Sequence, residues 1–335
     1  MSSSRLKLAR TLPGSDTLKH RQVSAWLTVA ASLALATCTD APIDPPTGPA
    51  AEYVFPDEAP PGPFERAYSM TESRDGSVRV FVREAPKSTD LYEMRRQPDG
   101  SWSAPALLDF PRRTSNTSPS FSPFDGRLYF ASDRTVPDEP QRTDMNLWSV
   151  SLTDEGWGQA ELLPGDINTM DNETSITQAP RGELYFVSNH PRGQGAQDIY
   201  SARFDDRTGE WKTSFMPEHV NSPRTETHVA VTPDGDYLLF YSYRYPRLGK
   251  VDITAIHRHG FSPDDWSEPF NVGPAINTKG LDMGPGFSAD GETFFFSRNG
   301  RIMTLPTSDV MTELEAHAPA APTRALLSSG ELDEE

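Results

Sequence analysis

Residues 173–200 read ETSITQAPRGELYFVSNHPRGQGAQDIY, three apolar-rich segments divided by turn residues. Arg181-Gly182 separates TSITQA from ELYFVS, and the loop that follows separates ELYFVS from DIYSARF. Short runs rich in branched and aromatic residues, bounded by glycine and proline, are β-strands joined by turns. Thr208-Gly209 then introduces WKTSFM, a fourth strand led by Trp211. The glycines of RGQG are spaced as in a phosphate-cradling loop. A dinucleotide fingerprint needs a third glycine and a helix, however, and neither follows. The loop is a turn.

The same unit recurs along the chain. A turn followed by an apolar strand occurs as RDGSVRVFV, FDGRLYFAS, PRGELYFVS, PDGDYLLFYS and ADGETFFFS, with glycines at 76, 126, 182, 235 and 291. A second marker, Trp102, Trp157, Trp211 and Trp266, keeps the same spacing. Two independent markers sharing a period of roughly 50 residues define an internal repeat, and four antiparallel strands per repeat is the signature of a β-propeller blade. The tryptophans are expected to be packing wedges. The fold class is all-β, a propeller of five four-stranded blades, with a sixth blade as the alternative. The fifth unit lacks a tryptophan-led strand, so the apolar EYVF at 52–55 is expected to supply it and close the ring.

The ends differ in composition. Five basic residues precede the apolar AWLTVAASLALA, and TCTD follows, an arrangement that reads as an export signal. Leu35-Ala36-Thr37-Cys38 resembles a bacterial lipobox, which makes residues 1–37 a signal peptide and Cys38 the lipidated mature N-terminus. Cys38 is the one cysteine of the chain, so the sequence holds no disulfide. Residues 39–63 are a proline-rich spacer, 64–310 the propeller, and 311–335 an acidic, mostly disordered tail. The formal net charge is −17, and beyond residue 37 it is −21. Such a surface repels phosphate backbones and anionic lipid heads, so nucleic acid is no partner and the membrane is reached by the lipid anchor only.

The segment ETSITQAPRGELYFVSNHPRGQGAQDIY, flanked by INTMDNE at 167–173, resembles the TolB-like β-propeller repeat family of bacterial envelope proteins. The resemblance spans residues 68 to about 305. It departs from the family's pattern at His190, where arginine is usual, and at Arg181, where aspartate is. It implies a propeller in the cell envelope with a scaffolding or ligand-binding role, and with the lipid anchor the expected place is the outer membrane, facing the periplasm or the surface. It implies no catalytic activity.

In such a blade the entry to the first strand and the loop after the second lie on one face. Asn116, Glu173, Glu226 and Asp282 are entry residues, and Arg134, His190, Arg244 and Arg298 follow the second strands. Pairing would set Glu173 against His190, Glu226 against Arg244 and Asp282 against Arg298. These eight are the candidate binding residues, read first as one structural ion pair per blade. The alternative is a polar ring around the channel that binds a ligand or Ca2+; no other cofactor is expected. A glycosidase would use Glu173, Glu226 and Asp282 as catalytic carboxylates, but a basic partner beside each would keep it ionised. His257 and His259 would share one strand face, a poor metal site without a third ligand. The reading that results is a monomeric, non-catalytic envelope lipoprotein that binds another envelope protein or a cell-wall glycan component. The runner-up is a carbohydrate-active enzyme.

Overall fold

The computed structural model describes residues 51–55, 66–86, 88–108, 115–260 and 265–320. The signal peptide, Cys38 and most of the spacer and tail lie outside the described residues.

Five four-stranded antiparallel sheets form five blades, their strands paired in the order 1-2-3-4 outward from the centre. Blade 1 comprises Arg66–Glu72, Val78–Ala85, Ser88–Arg95 and Ala106–Leu107; blade 2, Asn116–Phe121, Leu128–Ser132, Asn146–Val150 and Glu161–Leu162. Blade 3 comprises Glu173–Gln178, Leu184–Ser188, Asp198–Asp205 and Glu210–Phe215; blade 4, Glu226–Val231, Tyr237–Ser242, Asp252–His257 and Phe270–Asn271. Blade 5 is built from Asp282–Phe287, Thr293–Arg298, Arg301–Pro306 and, from the other end of the chain, Glu52–Tyr53. Each first strand touches the first strands of both neighbouring blades, so the ring closes at five.

The apolar second strands explain why the repeat is so visible. Successive side chains of a strand point to opposite faces, and here both faces of every blade are buried against a neighbour. Leu184 and Phe186 enter the core between blades 2 and 3, while Tyr185 and Val187 enter the core between blades 3 and 4. Phe294 and Phe296 pack toward blade 4, and Phe295 toward blade 1. The gaps between neighbouring blades thus hold five separate hydrophobic clusters.

Closure follows the expected route. Glu52 pairs with Thr304 and Tyr53 with Met303, and the Val54 amide donates to the Ile302 carbonyl at 3.0 Å. Phe55 meets Phe81 of blade 1 with ring centroids 5.3 Å apart, tying the seam between the last and first blades. The tryptophans pack as wedges: Trp157 stacks on Phe121, Trp266 meets Tyr185 edge-on, and Arg79 lies over Trp102.

The last strand is followed by an element that the repeat does not contain. It is a helix, α1 (Thr307–His317), which runs from the end of blade 5 into the start of the tail. Val310 and Leu314, one helical turn apart, bury themselves over the gap between blades 4 and 5. Asp309 in the first turn and His317 in the last suit the helix dipole, and Pro319 ends the helix.

Candidate functional site

The loops that enter blades 3, 4 and 5 read INTMDNE, VNSPRTE and INTKGLD, and each is built around its asparagine, its hydroxyl and its acid. The amides of Asn168, Asn221 and Asn277 clip onto the preceding blade: their Oδ1 atoms accept from the backbone N–H of Leu147, Ile199 and Ile253. Their Nδ2 atoms donate to the carbonyls of the same three residues. Four residues upstream of each acid, a Ser or Thr donates both its backbone N–H and its hydroxyl to the carboxylate. For Glu226 these bonds come from Ser222 at 2.9 and 2.6 Å, for Asp282 from Thr278 at 2.6 and 2.8 Å, and for Glu173 from Thr169 at 3.0 and 2.7 Å.

The expected charge pairs form in two blades. Arg244 Nη2 lies 3.1 Å from Glu226 Oε1, and Arg298 Nε lies 3.0 Å from Asp282 Oδ1. Each arginine also donates to a carbonyl of its own entry loop, Val220 for Arg244 and Ile276 for Arg298. In blade 2 the neutral version appears, Arg134 Nη2 donating to Asn116 Oδ1 at 3.0 Å. Glu226 and Asp282 are fully buried, so their oxygens are spent inside the fold. Each acid joins entry loop, first strand and second strand.

Blade 3 departs from that scheme. His190 does not meet Glu173: its Nε2 lies 4.0 Å from Asp171, and its Nδ1 accepts from the Arg192 N–H. The guanidinium in this junction comes from Arg142 of blade 2, which bonds Asp144, Asn146 and the Thr169 carbonyl. Glu173 is therefore buried with three hydrogen-bond donors, two from Thr169 and Ser188 Oγ at 3.0 Å, but with no cation beside it among the described residues. Burial outweighs the donors and pushes its carboxyl up to about 7.

That shift has a consequence for stability. Between the unfolded value of about 4.5 and the folded value of about 7, the native chain holds a proton that the unfolded chain has released. The stabilisation is complete below pH 4.5 and is lost as pH rises through 7, a change of about 3 kcal/mol. In Glu173→Gln this component is absent. Denaturant titrations from pH 4.5 to 8 are expected to show the wild-type minus variant difference falling across that window. A constant difference would remove Glu173 as the titrating group.

The loop between the second and third strands of blade 3 explains its glycines. Gly195 donates to both Asp198 carboxylate oxygens, and a Cβ on it would lie 2.0 Å from the Arg224 carbonyl of blade 4. Close approach requires the glycine there. Asp252 repeats the arrangement in blade 4, accepting from the N–H groups of Leu248 and Gly249.

The channel holds a feature that no repeat motif announced. Each first strand carries a register shift, and in blades 1, 2, 4 and 5 Ser69, Ser118, His228 and Gly284 adopt left-handed backbone at it, with φ of 50, 51, 54 and 60°. A bulge re-aims a side chain, and in blade 4 the re-aimed side chain is His228. Its ring stacks on Tyr241 at 5.0 Å and meets Tyr68 of blade 1 edge-on at 5.3 Å. Blades 1 and 4 are not neighbours, so this contact spans the channel. Burial pushes the His228 imidazole down to about 4, and its Nε2 has no hydrogen-bond partner among the described residues. Gly284 makes room: a Cβ on it would lie 3.0 Å from the Ser69 nitrogen. Between this aromatic bridge and the first-to-second-strand turns lies a cavity of about 180 Å3, its walls including Ser120, Thr177 and Gln178.

His257 and His259 do come together, with ring centroids 4.8 Å apart, but His257 stacks on Tyr237. Among the described residues no group of three or more His, Cys, Asp or Glu is placed to hold a metal ion. No helix among them is long and apolar enough to cross a membrane.

No family model and no curated protein matches the chain. Similar solved structures include TolB from Acinetobacter baumannii, at 15% identity over 72% of this chain and 54% of that one, with a TM-score of 0.43. A gluconolactonase from Xanthomonas campestris aligns at 16% identity over 72% and 86%, with a TM-score of 0.40. An alpha-L-arabinofuranosidase from Lactobacillus brevis aligns at 15% over 74% and 92%, with a TM-score of 0.45. The chain spans about half the length of the Acinetobacter protein. The propeller rests on its own strand pairing, and these distant likenesses carry no argument about activity.

Proposed function

We propose that this propeller is a non-catalytic binding module of the bacterial cell envelope. It engages an envelope protein or a cell-wall glycan through the face that carries the strand-entry loops and the second-to-third-strand loops. A lipid on Cys38 would tether it to the outer membrane. The supporting observation is the fate of the carboxylates: Glu226 and Asp282 are buried and bonded to their own entry loops and arginines. The same face exposes apolar side chains that the fold does not use, Met170, Tyr245 and Leu248.

A second reading, a carbohydrate-active enzyme, draws on Glu173, which sits near neutrality as a general acid must. Yet Glu173 has no exposed surface and lies under Thr169 and Ser188. Glu226→Gln separates the two readings. A structural acid predicts a loss of about 1–3 kcal/mol on denaturant unfolding, because the Arg244 guanidinium and the Ser222 N–H lose their charged partner. A variant as stable as the wild type that has lost a glycan-hydrolysing activity present in the wild type would establish the enzyme instead.

A further inference from the structure

We propose that the loops around blade 4 on the entry face form a docking strip for an acidic segment of a partner protein. This rests on the binding-module reading and adds the partner's chemistry to it.

The strip is continuous through contacts between loops. The Ala196 N–H, in the blade 3 loop, donates to the Arg224 carbonyl in the blade 4 entry loop at 2.8 Å. The Arg224 guanidinium lies 5.0 Å from the Tyr245 ring, whose other neighbour is Arg247 at 4.6 Å. The Lys250 N–H, at the end of that loop, donates to the Gly280 carbonyl beside Lys279 at 2.9 Å. Arg192, Arg224, Lys250 and Lys279 are exposed, and Arg247 is half-buried.

A cationic strip is unexpected on a chain of net charge −17. Its origin lies in where the acids of these loops point. Asp198 and Asp252 turn inward to cap their own loops, and Glu226 and Asp282 turn inward to hold the blade junctions. Glu218 is the exposed carboxylate that remains in these four loops. The fold draws four of these acids inward, with Arg244 beside Glu226, and leaves more positive than negative charge at the surface of these loops, where it attracts an acidic surface and speeds its approach.

The apolar component argues for a protein and not a simple polyanion. Tyr245 is 64% exposed and Leu248 51% exposed, in the middle of the strip. Tyrosine flanked by arginine is the composition of protein-interface hot spots. The matching segment carries several Asp or Glu residues with an apolar side chain among them.

The test uses the full-length protein and a fluorescein-labelled peptide of five Glu-Glu-Leu units, with poly-glutamate and dextran sulfate as comparison probes. Fluorescence anisotropy is expected to show saturable binding that weakens as salt rises. Arg224→Glu combined with Lys250→Glu is expected to weaken it at least about tenfold. Tyr245→Ala should weaken the Glu-Glu-Leu peptide about tenfold and leave poly-glutamate nearly unchanged. These side chains are exposed, so unchanged melting curves will separate lost binding from lost folding. Absence of peptide binding, or binding indifferent to the charge reversal, would overturn the proposal. Tighter binding of dextran sulfate would assign the strip to a polyanionic glycan, and salt-sensitive self-association in light scattering would assign it to a second copy. The binding-module reading fails separately, in the Glu226→Gln experiment.

Discussion

Asp282→Ala is expected to destabilise the propeller by about 3–5 kcal/mol, the cost of leaving a buried cation without its counter-charge. Arg298 cannot retreat to water, because its side chain is 9% exposed and its Nη2 is committed to the Ile276 carbonyl. The Thr278 N–H and hydroxyl lose their acceptor at the same time. At roughly 2–4 °C per kcal/mol for a domain of this size, the melting temperature should fall by roughly 6–20 °C. Asp282→Asn keeps an acceptor oxygen for Thr278 and should cost less. Calorimetry on both variants checks the order. An alanine variant within about 1 kcal/mol of the wild type, inside the range of ordinary surface substitutions and mild losses, would show that the carboxylate holds nothing together.

Deleting residues 52–55 should have the second-largest effect. The strand Arg301–Pro306 then loses its outer partner and presents unpaired backbone groups to solvent. Phe55 leaves Phe81, and Val54 leaves the cluster around Met70 and Ile302. Partial burial of these two side chains is worth roughly 3 kcal/mol together, before any ladder hydrogen bond is counted. The expected result is a melting temperature lower by roughly 6–12 °C, with edge-to-edge association visible in light scattering. An unchanged melting curve would mean that blade 5 is stable with three strands.

The fold was legible because a blade is apolar on both faces. That doubles the hydrophobic signal of strands such as LYF and FFF, and the turn glycines and tryptophans supply the period. The pairs Glu226–Arg244 and Asp282–Arg298 were legible for a similar reason, since antiparallel pairing of adjacent strands sets Glu226 opposite Ser242 and Asp282 opposite Arg298. Glu173–His190 was misread because imidazole is shorter than arginine and its Nδ1 is taken by the Arg192 N–H. The asparagine clips escaped notice although their signal was present, Ile or Val, Asn, then Ser or Thr, four residues before the acid. His228 had no such signal. A bulge breaks the alternation between Thr227 and Ala230, and nothing in THVA announces a left-handed residue. Helix α1 was hidden by the alanines and prolines after it, while two residues, Val310 and Leu314, decide its docking.

The Tyr68–His228 contact also bears on what the ring could admit. A propeller bore open from end to end could thread a partner's tail or pass a solute between its two mouths. Here Tyr68 of blade 1 touches His228 of blade 4, which stacks on Tyr241 of its own blade, so an aromatic contact crosses between non-neighbouring blades. A chain or solute entering the bore at that level meets these rings. Separating the two blades at this level would require the Tyr68–His228 contact to break, which makes that pair the place to introduce a smaller side chain if a wider bore is wanted.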